Sequence, residues 1–187
     1  QQALDYAKER IQSARAGAAD RSPAAIIEHP DVRRMLVRMR SLTEAMRGLL
    51  YYTAGQVDRG DIGDSAAAAR AEVLVPMLKA WATDTGIDVA SLGIQVHGGM
   101  GFIEETGAAQ HWRDSRIAPI YEGTNGIQAA DLVTRKLGLE DGQVLQALFA
   151  DIARDAGDEA KLQALAGECA AIAKWMREGA SLDDRRA

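Results

Sequence analysis

The chain has 187 residues, with 22 basic and 27 acidic side chains and a formal net charge of −5. That length supports one cored domain, or one domain with a tail, and 47% apolar with 26% charged residues excludes a disordered chain. The acidic balance excludes general attraction to nucleic acid, no apolar run reaches the roughly 18 residues of a membrane span, and one cysteine, Cys169, excludes an intrachain disulfide or a cysteine-rich zinc site.

The first residues, Gln1-Gln2-Ala3-Leu4-Asp5-Tyr6, are already in helical register, so a piece of a longer polypeptide is expected. Leu4, Ala7, Ile11 and Ala14 recur at three- and four-residue spacing and predict a helix over 1–16. Gly17 ends it, and the Ala/Asp/Ser/Pro stretch to Ala24 reads as a loop. A second helix is predicted from Pro30, since proline suits a first turn and Asp31 complements its dipole. Its apolar stripe runs through Val32, Met35, Leu36, Met39, Leu42, Met46, Leu49 and Leu50, and the methionines read as core packing.

Asp58 to Asp64 forms a charged, glycine-punctuated turn. Ser65 is then expected to cap an alanine-rich helix with the stripe Val73, Met77, Leu78 and Trp81, bent at Pro76 and continuing to about His97. An irregular stretch from Gly98 to Glu105, a short helix near 106–114 and a loop through Pro119 follow. Thr124 is expected to cap a helix over 125–137, and two alanine-rich helices near 141–155 and 158–178 precede a polar tail. Alternation of β-branched residues is nearly absent. The predicted fold is all-α, an up-and-down helical bundle with additional C-terminal helices.

Two segments depart from bundle composition: Gln95-Val96-His97-Gly98-Gly99-Met100-Gly101-Phe102 and Ile120-Tyr121-Glu122-Gly123-Thr124-Asn125-Gly126-Ile127-Gln128. Three glycines in four positions fit either a structural turn or a backbone brought close to a ligand. Glu122, just before a helix N-terminus, reads either as a solvated acid favoured by the dipole or as a general base dried by Ile120 and Tyr121. His97-Gly98-Gly99 also suggests the oxyanion loop of a lipase-like hydrolase, but no Gly-x-Ser-x-Gly elbow exists in the chain. His29, His97 and His111 lack metal-ligand spacing and read as hydrogen-bonded structural histidines. Trp81, Trp112 and Trp175 read as packing anchors, Arg113-Asp114-Ser115-Arg116 as a surface ion-pair cluster, and Cys169 as buried and inert.

The two unusual segments resemble the C-terminal helical domain of the acyl-CoA dehydrogenases, which oxidise acyl-CoA thioesters. Residues Ile94 to Gln128 are similar to that family's Gly-Gly-x-Gly-Phe loop followed by its Tyr-Glu-Gly-Thr loop. Upstream, Tyr6-Ala7-Lys8-Glu9-Arg10 resembles its Tyr-x-x-x-Arg helix, and Ile26-Ile27-Glu28-His29-Pro30 the start of its next helix. The resemblance covers residues 1–137, with 138–187 as a helical C-terminal extension. Gly126 to Leu132 is most similar to bacterial members with an extended C-terminus, the methylthiopropionyl-CoA type among them.

The resemblance implies that Glu122 abstracts the α-proton of the thioester while the β-hydrogen leaves as hydride to the flavin of FAD. Gly123 falls beside the acyl thioester. Thr124 and Asn125 fall at flavin-contacting positions, Arg10 and Gln12 at the pyrophosphate end, and Gln95, Val96, His97, Gly98 and Gly99 on the adenosine side. Gly126 stands where the family often has glutamine, and Ser13-Ala14 where it has Phe-Gly, so the turn after Arg10 is altered. The resemblance further implies fatty-acid metabolism, an electron-transfer flavoprotein as acceptor, a homo-oligomer (dimer or tetramer) with the flavin reached across subunits, and a cytoplasmic location. This chain alone lacks the family's N-terminal helical and central β domains and is expected to be inactive. The alternative is a non-catalytic helical oligomerisation module of an inactive relative.

Overall fold

The structure is a computed structural model, and residues 1–181 and 183–184 are described. The all-α class expected from the sequence is the one observed. In chain order, α1 (Gln2–Glu9) leads into β1 (Ile11–Ala14) and β2 (Pro23–Ala25), then a 3₁₀ turn (Ile26–Glu28), α2 (Pro30–Asp61) and α3 (Ser65–His97). After these come α4 (Gly99–Phe102), a 3₁₀ turn (Glu104–Thr106), α5 (Ala108–Ser115), α6 (Asn125–Thr134), a 3₁₀ stretch (Lys136–Gly142), α7 (Gln143–Asp155) and α8 (Ala160–Glu178).

The chain divides into two compact units, one of residues 1–48 and 81–121, the other of 49–80 and 122–187. In the first, α1 buries Ala3 and Ala7 with Ile26, Met35 and Val96, flanked by Tyr6, Leu36, Met39 and Leu92. In the second, Val73 and Leu74 of α3 pack with Leu137, with Val144, Leu145 and Leu148 of α7, and with Ala173 of α8. Both cores are largely aliphatic, and their stability draws on close-packed dispersion contacts.

The helix predicted over 1–16 is corrected: it stops at Glu9. Arg10 is extended (φ −71°, ψ 112°), and its carbonyl accepts from the Ile26 amide at 2.8 Å. Antiparallel pairing aligns Ile11 with Ala25 and Ala14 with Pro23, with a register irregularity between, where Ser13 has φ 59°. Long-range pairing therefore overrides a helical period, leaving Ile11 55% exposed. The predicted loop to Ala24 accordingly contains the start of β2.

The helix from Pro30 forms as expected, with Asp31 in its first turn, and runs to Asp61. Beyond it, Asp64 is the cap, not Ser65: its Oδ1 accepts from the Ala67 amide at 3.0 Å. The adjacent hydrogen bonds from Ala67 and Arg59 hold the Asp64 carboxyl below its ordinary pKa. The helix α3 is unbroken through Pro76 and Gly86 to His97. Thr124 caps α6 as expected, its Oγ1 accepting from the Ile127 amide at 3.2 Å.

Packing of Met35 and Met39 is also as expected. The three tryptophans are not buried anchors: Trp81, Trp112 and Trp175 are 39%, 38% and 53% exposed. Cys169 is half-buried, not buried, because α8 turns Ala166 and Ala173 to the core. No helix among the described residues is long and apolar enough to cross a membrane.

Candidate active site

In the first unit the break after α1 brings Arg10 and Gln12 to one hollow with Val96, His97 and Gly98 from the end of α3. The hollow has a volume of about 300 Å³, and Tyr6, Ile26 and Val32 supply its apolar wall. Arg10 is exposed, with Nη2 donating to Gln12 Oε1 at 3.4 Å, a long contact that leaves the guanidinium edge open to an anion. Gln95 and Gly99 are exposed and do not line this hollow.

His97 is buried, and its ring stacks on Tyr6 with centroids 4.4 Å apart and planes at 28°. Its Nδ1 lies 2.7 Å from the Gly93 carbonyl. A carbonyl only accepts, so Nδ1 carries the proton, and in the neutral ring Nε2 is an acceptor. Among the described residues Nε2 has no hydrogen-bond partner. His29 Nε2 lies 2.9 Å from the Gln12 carbonyl and His111 Nε2 3.0 Å from Gln2 Oε1, so all three histidines have hydrogen-bonding positions as expected. No group of three metal-ligating side chains occurs among the described residues.

The glycine-rich segment mixes two causes. Gly98 has φ 62°, which favours glycine. A Cβ on Gly101 would strike the Ile94 carbonyl and lie 2.9 Å from His97 Cβ, so that glycine permits close packing on the last turn of α3. Gly99 is under neither constraint, since nothing lies within 4 Å of its Cβ position.

In the second unit Glu122 (φ 52°) and Gly123 (φ 90°) are successive left-handed residues immediately before the Thr124 cap. Glycine accommodates this at 123; at 122 a side-chain residue bears strain, as Ser13, Glu140 and Asp141 also do. Asn125 begins α6, and its Nδ2 donates to the Ala80 carbonyl at 3.1 Å. Lys79 of α3 is half-buried and donates to the Gly123 carbonyl at 2.6 Å and to Asn125 Oδ1 at 3.0 Å. Sequence reasoning missed Lys79, although a lysine inside the apolar run Leu74–Trp81 was a legible signal.

Glu122 itself is exposed, and Ile120 and Tyr121 are 51% and 52% exposed. The drying expected of these two neighbours is therefore not provided by this chain.

Residues 1–137 match the family profile described as acyl-CoA dehydrogenase, C-terminal domain. The chain belongs to the acyl-CoA dehydrogenase family. Among curated members it is 49% identical over 165 residues to 3-methylmercaptopropionyl-CoA dehydrogenase of Ruegeria pomeroyi, covering 86% of this chain and 28% of that one. It is 39% identical over 158 residues to a butyryl-CoA dehydrogenase of Syntrophomonas wolfei, covering 81% and 26%. The chain thus spans a little over a quarter of these relatives' length.

Two solved structures share the fold. Caenorhabditis elegans ACDH-11 in complex with C11-CoA superposes with a TM-score of 0.70 at 23% identity, covering 85% of this chain and 26% of that one. The apo form of Bd2924 gives 0.72 at 24% identity, covering 98% and 35%. The lipase-like alternative has no place in this family or on this helical scaffold.

Proposed function

We propose that this chain is the C-terminal domain of an FAD-dependent acyl-CoA dehydrogenase, with residues 1–137 the family domain and 138–187 a helical extension. The observation carrying this reading is the left-handed Glu122–Gly123 turn ahead of the capped α6, which falls inside the matched family domain and coincides with the loop that the resemblance marks as catalytic.

The residues of the first unit's hollow suit part of an FAD. The orphaned acceptor of buried His97, the open Arg10 edge and the hollow they share suit a ligand with both hydroxyl or amine donors and a pyrophosphate. Arg10 and Gln12 would hold the pyrophosphate, Gln95 and Val96–Gly99 the adenosine side, and Thr124 and Asn125 the flavin end. When bound, FAD supplies the acceptor for the β-hydrogen, which leaves as hydride.

Glu122 then removes the thioester α-proton as general base. That proton is weakly acidic, so the carboxylate must work in a dry site with hydrogen bonds on the developing enolate oxygen. The backbone N–H of Glu122 supplies one such bond, and Gly123 leaves room beside the thioester. The drying surfaces come from the longer polypeptide, with a homo-oligomer (dimer or tetramer) placing the flavin across subunits. An electron-transfer flavoprotein accepts the electrons, and the setting is cytoplasmic fatty-acid metabolism.

The test is anaerobic titration of the polypeptide carrying this chain, and of its Glu122→Gln variant, with a panel of acyl-CoAs while flavin absorption is followed. Bleaching in the wild type and its loss in Glu122→Gln, with turnover reduced by roughly 10³-fold or more, is the expected result. Bleaching in both moves the base elsewhere. A polypeptide that cannot be loaded with flavin leaves a non-catalytic helical oligomerisation module. Residues 1–187 alone are expected to bind FAD weakly or not at all; stoichiometric FAD on the isolated chain overturns that part.

A further inference from the structure

We propose that Lys79 is a positioning residue for the candidate base: from α3 it holds the Glu122–Gly123 turn in the conformation that presents the carboxylate. The inference rests on the reading of Glu122 as base. Its footing is three hydrogen bonds that join residues 79 and 80 to residues 123 and 125.

The need arises from the backbone. Glu122 and Gly123 have φ of 52° and 90°, and outside glycine such a conformation persists only where surrounding contacts over-determine it. The Thr124 cap fixes the start of α6 but reaches forward, to Ile127 and, through its carbonyl, Gln128. It says nothing about the peptide unit before it. The Lys79 ammonium fills that role by donating at 2.6 Å to the Gly123 carbonyl, the peptide that links the turn to the cap.

The same ammonium binds Asn125 Oδ1 at 3.0 Å, and Asn125 Nδ2 returns to the Ala80 carbonyl at 3.1 Å. A cation on one side and a carbonyl on the other orient the Asn125 amide uniquely, oxygen to lysine and nitrogen to Ala80. The loop is thereby tied at two points to one turn of a long helix, which is a rigid anchor. Lys79 donates to oxygens of the backbone and of an amide, so it acts through the loop and is not itself a proton-transfer group. A lysine suits the task because a compact charge with three donors can serve converging carbonyl oxygens. Charge assistance makes each bond stronger than a neutral one.

The experiment compares Lys79→Met, Lys79→Gln and Lys79→Arg in the flavin-loaded polypeptide, by amide hydrogen exchange and by steady-state kinetics. Lys79→Met is expected to speed exchange across residues 121–127 by at least about 10-fold while the rest of the second unit keeps its protection. It is expected to lower kcat by roughly 10²-fold with KM changed about threefold or less, as for a misplaced catalytic group. Lys79→Arg restores part of both, and Lys79→Gln provides the same reading if the Met variant does not fold. Unchanged exchange over 121–127, an unchanged kcat, or loosening spread evenly through the second unit each overturns the proposal. Full turnover by Glu122→Gln overturns the base reading instead, so the two failures are read by different measurements.

Discussion

The loop after α3 and the loop before α6 both interrupt helices with glycine, yet they are held by different means. The first is determined locally: Gly98 needs its positive φ, and Gly101 packs against the Ile94 carbonyl only a few residues upstream. The second is held from a distance, by a lysine 44 residues earlier in the chain. A locally specified loop is written in its own residues. A loop held from afar carries strain that its own residues cannot relieve, and that is where Glu122, the proposed base, sits.

The largest expected effect that tests this contrast is at Gly101. Gly101→Ala drives a methyl into backbone, which cannot give way, so a loss of about 3 kcal/mol is expected from overpacking, read by denaturant unfolding. A loss under about 1 kcal/mol would break the claim that this loop is locally packed. Next is Thr124→Ala, which removes the cap of α6 and should cost about 1 kcal/mol. Faster exchange should then start at Asn125 and leave the Glu122–Gly123 turn protected, if Lys79 and Thr124 have separate tasks.

Ser13→Gly goes the other way. Ser13 has φ 59° without glycine, so relief of left-handed strain should add roughly 0.5–1 kcal/mol, seen as a higher thermal midpoint. A lower midpoint would mean that the Ser13 side chain contributes something that its exposed position does not reveal.

The smallest effect concerns acid. Asp151 is held below its ordinary pKa by hydrogen bonds from Arg70 and Arg154, and Asp131 by hydrogen bonds and charge from Arg135. A depressed carboxylate contributes stability that is complete above its unfolded pKa, about 3.9, and is lost as pH falls through the lower folded value. The second unit should therefore loosen as pH drops below roughly 4, and Asp151→Asn should flatten that dependence. Because these carboxylates are half-buried and still reached by solvent, the change in midpoint should be modest.

Much was legible from the residues alone. The family came from the resemblance of its motif blocks, whereas the starts of α2 and α6, the ends of α3 and α8 to within a residue, and the all-α class followed from caps, proline and 3.6-residue periodicity. These are short-range rules, satisfied or broken within a few residues. The helix that stops at Glu9 was not legible, because β1 exists only when residues 11–14 meet residues 23–25. Asp64 displaced Ser65 as a cap because its carboxylate reaches the Ala67 amide and also pairs with Arg59, a choice made by the turn's geometry.

The three tryptophans were expected as packing anchors yet keep substantial exposure, because burial depends on what surface faces a side chain, and sequence does not name that surface. Lys79 makes the same point at the candidate site. The sequence by itself determined the motif that carries Glu122 and the helix that follows it, because caps and backbone preferences act between near neighbours. Only the tertiary structure decided what holds that motif, because a hydrogen bond between residues 79 and 123 exists only after the chain has folded back on itself.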